Sequence, residues 1–220
     1  MNQRPPIPPP PGPAVAAVRS YKLRRGRLGP ASVQALDRLR DRYLPGDLPR
    51  PGRPLVVEIG SGMGEAAVAC ALAEPGTDLL AVEVHTPGVA ALVRRIEEAG
   101  LTNVRVVEGD AVDVLHGLPA GSVSDVRLWF PDPWPKSRHA KRRFVQPATV
   151  ELVAGRLAPG GRWHLASDWP EYVEHALPLL ALRFDAAVVA RPAGRPVTRF
   201  EARAVAAGRP TQDVLAVLRP

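Results

Sequence analysis

The sequence predicts an open α/β fold, a mostly parallel seven-stranded sheet with helices on both faces, and three observations lead there. Short apolar runs alternate with helical stretches from residue 55 to residue 182, the pattern of successive βαβ units. A glycine turn, Gly60-Ser61-Gly62-Met63-Gly64, follows the first run and opens a helix. The length of 220 residues, 45% of them apolar, suffices to bury one such core and is too short for two large domains.

Residues 1–18 carry proline at a density that helices and sheet ladders do not accept, and read as a disordered or polyproline-like arm. Residues 19–54 form a basic N-terminal segment and a helix, in which Val33, Leu36, Leu39 and Tyr43 share one face over 31–43. A breaker-rich stretch at 45–54 ends that segment. Residues 55–220 are the sheet domain. Strands are expected at 55–59, 79–84, 104–107, 123–130 and 162–166, and helices at 64–73, 87–99, 146–157 and 169–182. Two more strands, at 184–189 and 214–218, flank a loop at 195–201 that can fold back over the site.

A formal charge of +7 and a pI near 10.4 point to a polyanionic partner, but location says more than the sum. Arg19, Lys22, Arg24, Arg25 and Arg27 form one acid-free segment, and Lys136, Arg138, Lys141, Arg142 and Arg143 another. Of the 29 cations, the 19 outside these segments face 22 acids, so the remainder of the chain is about −3 and the excess is local. Arginine outnumbers lysine throughout, but alanine, proline and glycine are abundant too, as in a GC-rich genome, so that preference carries no functional weight. Cys70, the single cysteine, lies in an apolar run and packs there; one thiol makes neither an internal disulfide nor a zinc cluster. No apolar run reaches the roughly 18 residues of a membrane span, which suggests a soluble cytosolic protein.

Ligands of parallel sheets bind at the carboxyl ends of the strands. Glu58, Glu83 and Asp110 stand at three successive strand ends, and Gly60, Gly62 and Gly64 leave backbone room for close approach. The spacing is G-x-G-x-G rather than the dinucleotide G-x-G-x-x-G, and no cation in the turn meets a pyrophosphate. Glu83 is placed to accept ribose hydroxyls and Asp110 an exocyclic adenine amine. Each acid alone also reads as a helix cap or a solvated strand end. Together they suit a cationic nucleoside such as S-adenosylmethionine.

The fourth strand runs into Trp129-Phe130-Pro131-Asp132-Pro133-Trp134-Pro135-Lys136, then Arg138-His139-Ala140-Lys141-Arg142-Arg143. Prolines stiffen the loop around one carboxylate, and the indoles offer flat surface for a nucleobase. With Ser167-Asp168-Trp169, Thr198-Arg199-Phe200-Glu201, Arg19-Ser20 and the glycine turn, these motifs resemble the bacterial tRNA (guanine-N7-)-methyltransferase family over roughly residues 19–213. That family is a branch of the Rossmann-like class I methyltransferases.

The resemblance implies S-adenosylmethionine as methyl donor, no metal, tRNA as partner, a monomer without an obligatory protein partner, a cytoplasmic location, and N7-methylation of a variable-loop guanine. It implies that Glu58, Gly60, Gly62, Gly64, Glu83, Asp110 and Asp132 line the cofactor site. Lys136, Asp168, Thr198, Arg199, Phe200 and Glu201 would meet the substrate, and Arg138, His139, Lys141, Arg142 and Arg143 the RNA. The tail departs from the pattern: Gly208-Arg209 stands where the family often has glycine-histidine, and Arg203-Ala204 lacks the usual glycine.

Guanine N7 carries a lone pair and no proton, so it attacks a sulfonium methyl without a general base. Asp132 is the expected catalytic residue, holding the guanine edge and stabilising the positive charge that methylation creates; Asp168 and Glu201 are further candidates. Two other readings stand beside this one. An amino-group methyltransferase would use an Asn/Asp-Pro-Pro-aromatic order, which Pro131-Asp132-Pro133-Trp134 does not match. A non-catalytic RNA-binding module would have no need of the glycine turn and strand-end acids.

Overall fold

A computed structural model describes residue 21, residues 29–39 and residues 48–220. The expected arm at 1–18, nearly all of the basic segment at 19–27 and the last residues of the first expected helix lie outside the described residues.

β1 (Leu55–Ile59) is buried along its whole length, as a run of aliphatic residues is at the centre of a parallel sheet. Its residues serve two layers in alternation. Leu55, Val57 and Ile59 enter one core and Val56 the other, and the pleat sends Glu58 to the same side as Val56. The alternation continues through α2 (Glu65–Ala73), β2 (Asp78–Glu83), α3 (Thr86–Glu98), β3 (Val104–Glu108), α4 (Ala111–Gly117) and β4 (Val123–Trp129). A 3₁₀ turn (Ser137–Arg142), α5 (Pro147–Arg156), β5 (Leu157–Ser167) and α6 (Pro170–Leu180) follow. β6 (Phe184–Val189), α7 (Arg199–Ala206) and β7 (Gln212–Leu218) close the chain, and α1 (Pro30–Leu39) precedes the sheet.

The seven strands lie in the order β3-β2-β1-β4-β5-β7-β6. β1 to β5 are parallel, and β7 runs antiparallel between β5 and β6. The chain moves outward from β1 to β3 on one side and from β4 to β5 on the other, so β1 and β4 form the switch point whose carboxyl ends open a crevice. α4, α5 and α6 cover one face with a core that includes Leu80, Val126, Leu128, Trp163 and Leu165. Trp163 is fully buried, edge-on to Phe144 and Phe184, and so serves the core. α1, α2 and α3 cover β1 to β3 on the other face. Arg50 and Arg53 both ion-pair with Asp78 at the start of β2, so the stretch just before the sheet domain is tied to it. Burial alone would raise the Asp78 carboxyl, but the two guanidinium groups hold it below its ordinary value.

Three expectations change. α4 is a helix that the sequence did not announce, and it is only seven residues long. β5 begins at Leu157 rather than residue 162: it pairs Leu157 with Val123, bulges, and resumes with Arg162 opposite Asp125. The 195–201 loop ends early, because Thr198 caps a helix that starts at Arg199. Among the described residues no helix is long and apolar enough to cross a membrane.

Candidate active site

β1 delivers the chain into a turn in which Gly60, Gly62 and Gly64 all take left-handed backbone angles, with φ of 77°, 57° and 84°. Such angles strain any residue bearing a Cβ. Gly64 is also crowded, since a Cβ there would meet Leu92 Cδ1 at 2.4 Å. Gly88, at the start of α3, has the same need: its Cβ would lie 2.6 Å from the Gly62 carbonyl oxygen. The sequence alone gives Gly88 no role at the site, since its demand comes from α3 crossing the turn. Glu83, at the end of β2, holds the turn from beneath by accepting the Gly62 N–H at 2.7 Å and the Val84 and His85 N–H groups at 2.8 Å. A carboxylate has about four acceptor positions, so about one remains.

Glu58 is 4% exposed and lines the cleft together with the glycine turn, Trp129 and Phe200. Burial pushes its carboxyl up to about 7, a rise that Arg127 opposes and Glu83 adds to. Three buried polar atoms on residues lining this cleft have no hydrogen-bond partner among the described residues: Glu58 Oε2, Ser61 Oγ and Trp129 Nε1. Leaving such groups unpaired costs about 1–3 kcal/mol each, which marks the wall as shaped for a polar, charged guest.

β4 ends in strained backbone. Phe130 and Trp134 have φ of 55° and 45°, sparsely populated for bulky residues, at a cost of order 1–3 kcal/mol each. The surroundings hold them there. Phe130 N–H donates to the Ala166 carbonyl on β5, and its ring lies under the Arg195 guanidinium. Trp134 is buried against the His139 edge and the Arg142 guanidinium, 4.9 Å from its centroid. Trp129 and Trp134 are 8% and 5% exposed, so neither is the open stacking platform that the sequence suggested. Between the two strained positions Asp132 is exposed, with no hydrogen bond among the described residues.

α7 closes the cleft from the far side. Thr198 Oγ1 accepts the Glu201 N–H at 3.0 Å, and Arg199 and Phe200 line the cleft, with Phe200 51% exposed. Glu201 was expected to meet substrate, but it is 4% exposed and turned inward. Arg195 donates to both of its oxygens at 2.7 Å and Arg191 to one at 2.9 Å. Arg195 reaches on to Asp213 of β7, which pairs with His164 Nε2 at 2.7 Å. Burial would raise the Glu201 and Asp213 carboxyls, yet their hydrogen bonds to Arg195, and for Asp213 to His164, hold both below their ordinary values.

The remaining expected residues divide. Asp110 caps α4, accepting the Val112 N–H at 2.9 Å, the role open to any strand-end acid. Asp168, after β5, is engaged by Arg209. Lys136, Arg138 and Lys141 are exposed along the 3₁₀ turn, with His139 and Arg142 beside them on Trp134. Arg143 is not part of that surface. It is 7% exposed, donates to the Pro133 and Glu171 carbonyls, and so ties the loop to α6.

A methyltransferase family model matches residues 52–214. A tRNA (guanine-N(7)-)-methyltransferase of Nitrosospira multiformis is 43% identical over 216 residues, covering 90% of this chain and 93% of that one. One of Nocardia farcinica is 48% identical over 216 residues, covering 87% and 80%. Among solved structures, an rRNA methylase from Streptococcus thermophilus matches at a TM-score of 0.52 with 13% identity, over 89% of this chain and all of that one. A phosphoethanolamine N-methyltransferase from Haemonchus contortus matches at 0.54 with 14% identity, over 86% and 52%. The two structures establish the shared methyltransferase fold. With the sequence relatives and the strained aspartate loop beside the glycine turn, they lead to one conclusion: this chain belongs to the tRNA (guanine-N7-)-methyltransferase family.

Proposed function

We propose that the protein transfers a methyl group from S-adenosylmethionine to N7 of a guanine in the tRNA variable loop. The observation that carries this reading is the trio of unpartnered polar atoms in the cleft, Glu58 Oε2, Ser61 Oγ and Trp129 Nε1. A carboxyl that a neighbouring ammonium would hold ionised, beside two donors, matches the amino-acid end of that cofactor, whose ammonium suits Glu58 and whose carboxylate suits Ser61 and Trp129. Gly60, Gly62 and Gly64 give the room, and the acceptor position left on Glu83 suits a ribose hydroxyl. When bound, the cofactor supplies an electrophilic methyl carbon.

The protein's task is then alignment. Guanine N7 needs no base, and holding it in line with the methyl contributes about 7–11 kcal/mol of barrier reduction. Asp132, fixed between two strained positions, accepts from the guanine edge and stabilises the cation formed at the purine. Asp168, one strand over, is the second acceptor. The exposed Phe200 ring gives a base a face to stack on. Lys136, Arg138, His139, Lys141 and Arg142 meet phosphates, so affinity falls steeply with salt.

The test incubates the protein with labelled S-adenosylmethionine and unmodified tRNA transcripts, with and without the variable-loop guanine, and maps the product by cleavage at N7-methylguanine. Cleavage at that guanine, absent from the transcript lacking it, supports the reading. Label at another base, or RNA binding without transfer, refutes it. In the same assay Asp132→Ala lowers kcat by about 10²–10³-fold; a wild-type rate removes Asp132 from its role.

A further inference from the structure

Asp168 follows the carboxyl end of β5, where Ser167 Oγ accepts the Trp169 N–H at 3.1 Å. Arg209 approaches it with two nitrogens, Nε and Nη2, each 2.9 Å from the same oxygen, Oδ2. Oδ1 has no hydrogen bond among the described residues. A carboxylate turns freely about its last side-chain bond, and a guanidinium seated on one oxygen removes that freedom while leaving the other oxygen open.

Arg209 is itself held in place. α7 closes with Gly208 at φ 69°, the Gly208 N–H returning to Val205 O and the Arg209 N–H to Ala204 O, both at 2.9 Å. This is the reciprocal pair of a Schellman closure, which sets where the next side chain begins. The body of α7 is anchored through Glu201 to Arg195, and through Arg195 to Asp213. A rigid path thus runs from the antiparallel strand β7, through α7, to one oxygen of Asp168.

We propose that Arg209 is a positioning residue for guanine recognition, holding Asp168 by Oδ2 so that Oδ1 accepts from the N–H edge of the target base. The inference rests on the reading of Asp168 as a substrate-binding acid. The pair is partly exposed, at 43% and 23% for the two side chains, so its worth to stability is small and its effect belongs in catalysis.

The test compares the full-length wild type with Arg209→Ala, Arg209→Lys, Asp168→Ala and the double alanine variant on one unmodified tRNA transcript. Arg209→Ala lowers kcat/KM by about ten- to a hundredfold, as expected for a misplaced positioning group, with melting temperature and S-adenosylmethionine affinity unchanged. Arg209→Lys recovers part of the loss, and the double variant is no slower than Asp168→Ala. The slope of log affinity against log salt stays at the wild-type value. A slope reduced by about one, or an Arg209→Ala loss that persists in the Asp168→Ala background, makes Arg209 a phosphate contact instead and overturns the proposal. Faster turnover by Arg209→Ala overturns it too, since the pair would then be blocking the site. Wild-type activity of Asp168→Ala removes the reading beneath it, a result distinct from any failure of Arg209 alone.

Discussion

β4 and β5 show opposite characters on their two sides. Toward α4, α5 and α6 they present Val126, Leu128, Trp163 and Leu165, all buried in one continuous apolar core. Toward the other side the same strands present Asp125, Arg127, Arg162 and His164, and the charges continue through Asp213, Arg195 and Glu201. The apolar side gains its stability from burial, which is non-directional and scales with area. The charged side loses much of its Coulombic gain to desolvation, so it adds little net stability, but its contacts are directional. It is the side that borders the cleft at the glycine turn. Its pairs set where α7 and the strained loop sit relative to the glycine turn.

The comparison breaks first on the apolar side. Trp163→Ala empties a fully buried site and costs about 3–5 kcal/mol in urea unfolding. A loss below about 1 kcal/mol would mean that this core is not what holds the sheet. On the charged side, Arg195→Ala takes the shared guanidinium from two buried carboxylates, leaving Glu201 only Arg191 and Asp213 only His164, and costs about 3 kcal/mol. The origins differ, and a further variant separates them. Replacing Arg195, Glu201 and Asp213 together with apolar residues of similar volume recovers part of the stability, because no buried carboxylate is left uncompensated; Arg191, 35% exposed, turns to water, while His164 gives up its partner. Methyl transfer stays impaired, because α7 loses its directional tether. Full activity in that variant would show that the network is filler.

Glu58 sharpens the contrast through pH. Its carboxyl titrates near 7 in the folded protein and near 4.5 in the unfolded chain. Below 4.5 both states hold the proton and Glu58 makes no pH-dependent contribution. As pH rises toward 7 the unfolded chain ionises first, so stability drains away and is lower by about 3 kcal/mol once the folded group has titrated. Glu58→Gln removes this slope. The difference in unfolding free energy between variant and wild type therefore grows by about 3 kcal/mol from pH 4 to pH 8 in the variant's favour. A flat difference would mean that Glu58 is solvated in the free protein.

What the sequence made legible follows the same division. Strands β1 to β4 were placed to within a residue or two because their apolar runs are short and bounded by glycine, proline or polar residues. Glu58, Glu83 and Asp132 stand out as candidates in the sequence because strand ends and a proline-locked loop are local signals, and the structure puts Glu58 in the cleft wall and Glu83 beneath its glycine turn. α7 was read as loop because only Glu201 and Ala204 are buried on it, so it shows no apolar stripe. The resemblance assigns Glu201 to the substrate, and nothing in the local sequence tells that Arg195 and Arg191 claim its oxygens. Arg143 was counted with its basic neighbours for the same reason: its partners, Pro133 and Glu171, are set by the fold. The position of β7 between β5 and β6 rests on pairing across the chain, which periodicity does not carry.

The smallest effect tests whether burial, rather than the number of ion pairs, gives the charged side its importance. Arg183 and Glu151 form a close pair between β6's approach and α5, with side chains 46% and 56% exposed. In water the Coulombic gain is small, both side chains give up rotamer freedom, and salt screens what remains. Arg183→Ala therefore costs no more than about 1 kcal/mol in urea, and adding salt shrinks even that difference. Arg195 carries the same guanidinium and meets the same kind of carboxylate, yet at 1% side-chain exposure it cannot exchange its partners for water. If the two variants lost equal stability, desolvation would not be the quantity that separates them, and the charged side of β4 and β5 would have to be valued by counting its pairs.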